Sequence, residues 1–196
     1  ITADNIRRVI RKVTWEPNTR YDFYRDDVSF ENKSKNTNVS NLYASNYYVI
    51  NSEFKVYVCI SNGATGSNPQ GNISADEPNF TDLEPREAGS SGDGYIWKYL
   101  YSVKPNQIIK FDSTNYIAVP TDWETNSSYS AVRENAKTSG QIKIVTVRNR
   151  GVGIGTANVT YTRVPIRGDG RDAEATVVVN NDSKVESITV SNGGSG

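Results

Sequence analysis

The 196-residue chain contains no histidine, no methionine and a single cysteine. Without histidine there is no Ser-His-Asp or Cys-His nucleophilic arrangement, no H-E-x-x-H zinc site and no histidine general base. With Cys59 the only thiol, a zinc site would need four carboxylates, a donor set that zinc rarely accepts. One cysteine forms no internal disulfide, and because Cys59 sits in the apolar run FKVYVCI it reads as a small core hydrophobe, with no sign of an oxidising compartment. Net charge is also missing. The 22 basic and 22 acidic residues cancel, whereas a nucleic-acid partner calls for a basic excess on one face, so no nucleic acid is expected. The one short basic patch, Arg7, Arg8, Arg11 and Lys12, reads as a solvated face. No apolar run reaches the ~18 residues of a membrane span, and no basic and apolar leader is visible, so no membrane partner is expected. Because it starts at Ile1 without any methionine, the chain is read as a piece of a longer protein.

Carboxylate chemistry survives these exclusions, since a glycosidase needs only two Asp or Glu residues across a cleft. The candidates are Asp26, Asp27, Asp76, Glu77, Asp82, Glu84 and Glu124. None stands in an identifying context, and SADEPNFTDLEPRE reads first as a solvated, proline-punctuated loop. A calcium ion on the same oxygens is the lesser alternative, because the regular EF-hand spacing is absent. The string GVGIGT at 151–156 imitates a dinucleotide fingerprint, but Thr156 replaces its third glycine and the β-branched ANVTYTRV follows where a helix is required. Arg167, Gly168 and Asp169 spell the adhesion tripeptide, and RGDG is equally a polar turn between strands. The expectation is therefore no catalytic residue, no cofactor, no metal and no small-molecule substrate.

Along the chain, Ile6, Val9, Ile10 and Val13 keep helical spacing with Asp4 available as an N-cap, predicting a short amphipathic helix that Pro17 stops. From Arg20 the pattern becomes β. RYDFYRDDVSF, NYYVI, FKVYVCI and NYIAVP are rich in aromatic and β-branched residues, with Asn51, Ser52 and Glu53 a hairpin connection. Residues 61–94 form a long polar segment without periodicity, expected to be an arm that a partner fixes in place. Behind Gly-Asp-Gly, four rings (Tyr95, Trp97, Tyr99 and Tyr101) alternate as one face of a strand would, with Ile96 and Leu100 on the other. The tail repeats: Thr146, Val147, Asn149, Gly151 and Gly153 match Thr189, Val190, Asn192, Gly194 and Gly196, two copies of a strand followed by a glycine turn. The first copy includes the strand-like QIKIVTV, and between the two copies lie ANVTYTRVPI and AEATVVVN, both strand-like. The expected fold is mainly β: a β-sandwich-like domain over residues 1–130 with a short N-terminal helix and long loops, then a small all-β repeat module over 141–196.

The string GDGYIWKYLYSVKP followed by NYIAVP resembles a segment of the baseplate wedge protein of T-even and related contractile-tailed phages. Upstream, IRRVIRKVTWEPNTRYDFY is similar to that family's helix and the strand entry after it, and FKVYVCISNG to a strand leading into its long loop. The likeness covers roughly the first two thirds of the chain, and the module from about 141 departs from it, being closer to glycine-turn repeats of other phage virion proteins. The resemblance implies a non-enzymatic virion structural protein, assembled in the host cytoplasm into the tail baseplate. It implies a homodimer that bridges other baseplate wedge proteins. A neutral, tyrosine-rich β chain suits a permanent assembly part. The competing expectation is a carbohydrate-binding module that uses Tyr95, Trp97, Tyr99 and Tyr101 as its platform.

Overall fold

The computed structural model describes residues 6–196. The chain forms two compact units, one through Ser130 and the other from Ala131 to Gly196. It is mainly β: the described residues form antiparallel sheets of four, two and three strands and two short α-helices. No helix among the described residues is long and apolar enough to cross a membrane.

The first unit is built on a four-stranded sheet. Its strands are β2 (Tyr48–Ile50), β3 (Lys55–Asn62), β4 (Arg86–Glu87) and β5 (Tyr95–Ser102), in the order β2-β3-β5-β4. The expected β2–β3 hairpin forms because Asn51 organises it. The Asn51 Oδ1 accepts from Glu53 N and Lys55 N, while Nδ2 donates to the Pro78 carbonyl at 2.8 Å. One face of the sheet carries Val49, Tyr57, Cys59, Tyr95 and Trp97 into the core. Loops supply the facing layer, where the sandwich-like expectation would place a second sheet: Tyr21, Phe80 and Ala88 close the core, with Val13, Trp15 and Phe23 at its margin.

The N-terminal helix is not formed. Its Asp4 cap lies outside the described residues, and Val9–Arg11 is instead strand β1, paired antiparallel with β6 (Tyr116–Ala118). A helix of this length is marginal in water by itself. Setting Ile10 opposite the fully buried Ile117 gives the β-branched pair Val9 and Ile10 a sheet partner. Residues 20–30 also escape strand formation. Side-chain amides take the place of a neighbouring strand: Asn46 Oδ1 accepts from Asp22 N, and both Asn36 Nδ2 and Asn62 Nδ2 donate to the Tyr21 carbonyl. Between β5 and β6 the chain makes helix α1 (Pro105–Phe111), opened by its first-turn proline.

The segment 61–94 is integrated into its own unit, contrary to the expectation of a partner-dependent arm. Ser74 is fully buried, bridges Thr19 and accepts the Trp15 Nε1–H at 3.1 Å, and Tyr57 donates its hydroxyl to the Phe80 carbonyl at 2.6 Å. Asp76 holds Ser91 N at 2.8 Å, and the Ser91 side chain and amide keep the Asp76 carboxyl below the ordinary carboxylate range. A carboxyl with a lowered native pKa stabilises the closed loop above the unfolded value and loses that contribution as pH falls through the native one. Limited proteolysis of the isolated chain should therefore spare 61–94 at neutral pH and cut between 76 and 91 in acid. Rapid neutral cleavage there would restore the partner-dependent arm.

The second unit begins within α2 (Ser130–Asn135) and contains the meander β7 (Thr160–Pro165), β8 (Arg171–Val179) and β9 (Val185–Ser195). QIKIVTV is irregular rather than a strand. It still follows β9, since the backbone bonds Gly196 N to Ser139 O, Ile142 N to Gly193 O and Val185 N to Arg150 O run antiparallel along it. The repeat has a structural counterpart. Asn149 Oδ1 accepts from Gly151 N at 2.9 Å, and Asn192 Oδ1 accepts from Gly194 N at 3.1 Å. Gly151 and Gly194 both take the left-handed backbone, at φ 66° and 67°, which glycine adopts at little cost.

Candidate interaction surface

The aromatic stripe divides between two faces. Tyr57 of β3 lies opposite Tyr99, but Val56 lies opposite Tyr101, so Leu100 is an extra residue and the ladder shifts. A bulge of this kind turns the following side chain to the other side of the sheet. Tyr95 and Trp97 stack at 5.5 Å in the core with Tyr21 edge-on to both. Tyr101 packs away from them, its ring 6.1 Å from that of Trp123. Tyr95, Trp97 and Tyr101 are buried and Tyr99 half-buried, so these rings offer no flat surface to a sugar. Burial pushes the phenols of Tyr57, Tyr95 and Tyr101 well up, and that of Tyr48 to about 12, so all four stay neutral at physiological pH. The Gly-Asp-Gly turn ahead of the stripe is a clamp. Asp93 accepts Ala75 N at 2.8 Å through one carboxylate oxygen and Tyr95 N at 2.9 Å through the other.

The candidate carboxylates are dispersed, and most serve as braces. Asp27 takes the Arg25 guanidinium, Glu77 takes Ser52 N and Oγ, and Asp82 pairs with Arg86. Asp26, Glu84 and Glu124 are exposed. Among the described residues no three His, Cys, Asp or Glu gather closely enough to hold a metal ion. The Cys59 thiol is fully buried and its pKa is pushed well up by desolvation, which makes it a poor nucleophile. GVGIGT lies in irregular chain ahead of strand β7, with no helix to follow it. Arg167, Gly168 and Asp169 occupy the exposed connection from β7 to β8.

The basic patch is largely consumed. Lys12 pairs with Asp112 at 3.0 Å, and the Arg11 guanidinium is spread over the carbonyls of Tyr43, Ala44 and Ser45. Arg7 lies 5.9 Å from the Phe111 ring centroid, and Arg8 is exposed.

These contacts also build a surface that no periodicity announces. Tyr116 sits across the ladder from Arg11, and its phenol lies near that of Tyr43. The neighbouring Tyr116 phenol raises the Tyr43 pKa. Val9 projects on the same face as Arg11, two residues along β1. Tyr43 is 64% exposed, Val9 46% and Tyr116 43%. Ile6, just before β1, and Ile109 on α1 are also exposed, Ile109 to 86%. Tyr43 stands in the polar stretch SNLYASN, so only the fold brings it to Tyr116. No protein-family model, curated protein or solved structure matches the chain.

Proposed function

We propose that the chain is a structural part of a contractile-tail baseplate wedge, and that it works by burying surface against a second copy of itself and against neighbouring wedge subunits. The observation that carries this reading is the Val9, Tyr43 and Tyr116 surface around the anchored Arg11 guanidinium. Tyrosine and aliphatic side chains around a fixed arginine are what interface centres favour. The choice of a baseplate rests on the resemblance of GDGYIWKYLYSVKP and NYIAVP to the wedge protein of contractile-tailed phages. Carboxylates occupied in turns and ion pairs suit a scaffold whose business is shape.

Native mass spectrometry and sedimentation of the purified chain test the reading. Dimers at micromolar concentration are expected, with an interface on the order of 2,000 Å² or more if the contact is obligate. The double substitution Tyr43→Ala and Tyr116→Ala should leave the folding midpoint within about 1 kcal/mol, because both rings are largely exposed. It should weaken self-association at least about tenfold, the effect of losing one interface hot spot. A strict monomer that does not join wedge subunits would overturn the proposal. So would binding on a glycan array that the same two substitutions abolish, which would replace assembly by sugar recognition.

A further inference from the structure

Two Asn-Gly dipeptides occur in the chain, Asn62-Gly63 and Asn192-Gly193, and the fold sets them in contrasting surroundings. Each asparagine makes the same local turn. Asn62 Oδ1 accepts from Ala64 N at 3.2 Å and Asn192 Oδ1 from Gly194 N at 3.1 Å. An amide N–H on that oxygen polarises the side-chain carbonyl and stabilises negative charge that develops on it. Glycine next in sequence leaves its own nitrogen unobstructed by a Cβ.

We infer that Asn192 is a site of spontaneous deamidation, and that Asn62 is protected by the fold. At Asn192 the Gly193 nitrogen loses its proton and bonds to Cγ, and the side-chain nitrogen leaves as ammonia. Water then opens the resulting succinimide at either carbonyl, giving aspartate or isoaspartate. Asn192 is exposed, so water enters and ammonia leaves freely. The β8–β9 ladder slips beside it, between the pairs Glu174–Asn192 and Ala175–Val190, which interrupts the regular hydrogen-bond ladder at that point. Asn62 has neither freedom. It is 1% exposed, and its Nδ2 donates to the carbonyls of Tyr21 at 2.9 Å and Gln70 at 3.1 Å, so the leaving nitrogen is held and water is excluded. In the first repeat copy Asn149 makes the same turn but precedes Arg150, whose side chain crowds the attacking nitrogen.

The change has a structural consequence. A carboxylate at 192 stands directly across the ladder from Glu174, and like charges so placed repel. Isoaspartate also lengthens the backbone beside the Gly193 carbonyl that accepts Ile142 N.

The test is incubation of the intact chain at mildly alkaline pH, with peptide mapping by mass spectrometry and enzymatic isoaspartate methylation over time. Asn192 should convert at least about tenfold faster than Asn62, where reaction waits for local opening. In strong urea the two rates should converge. Equal rates at Asn62 and Asn192 in the folded chain would overturn the inference, as would conversion of Asn192 no faster than that of Asn149. An Asn192→Gln variant should lose the isoaspartate signal while the chain still folds. A signal that persists in it locates the reaction elsewhere.

Discussion

Trp97→Ala is expected to destabilise the first unit by about 3–5 kcal/mol, a large-to-small truncation in a core that cannot collapse around the gap. The indole is fully buried, stacked on Tyr95 with interplanar angle 16° and edge-on to Tyr21 at 5.7 Å. It lies across the ladder from Cys59 on one side and Arg86 on the other, so the cavity would open in the middle of the sheet. Among the described residues the indole Nε1–H has no hydrogen-bond partner, which separates packing from polarity. Trp97→Phe removes that unpaired donor along with part of the ring, so it should cost much less, about 1 kcal/mol. Urea unfolding of both variants reads the difference as a shift in midpoint at constant slope. An alanine variant with an unchanged midpoint would show that the stripe does not hold the core.

Asp93→Ala should cost about 2–3 kcal/mol, because it removes two charge-assisted bonds from a partly buried carboxylate. One bond holds the start of β5 through Tyr95 N and the other holds the long segment through Ala75 N. The turn offers no substitute. Gly94 has φ 80°, and a Cβ there would stand 3.2 Å from Asn72 Nδ2 and 3.3 Å from the Gly63 Cα. Asp93→Asn keeps one acceptor but turns an amino group toward the second N–H, so its loss should be intermediate. Cleavage between residues 75 and 93 should become faster in proportion to the stability lost. A stable alanine variant with that segment still resistant would show that Asp93 is dispensable.

The mainly β character, the Asn51 hairpin, the core position of Cys59 and the glycine-turn repeat all follow from neighbours in sequence. Alternation, β-branching and Asx-turn chemistry act over a few residues, and tertiary contacts had little to override there. The N-terminal segment was decided at long range: Ile10 meets Ile117 across more than a hundred residues, and helical spacing over one short stretch could not compete. The irregular course of 20–30 depends on Asn36, Asn46 and Asn62 reaching in from three separate places, a pairing that composition does not encode. The single extra residue at Leu100 likewise reverses the side of Tyr101, because where a ladder slips depends on its partner strand. The Val9, Tyr43 and Tyr116 surface is the furthest from local pattern. Which rings exist, and their preference for strands, are local properties; which of them are buried was settled by contacts from distant parts of the chain. Burial is a property of what packs against a residue, and here the packing partners come from irregular chain whose position is set by side-chain hydrogen bonds rather than by periodicity.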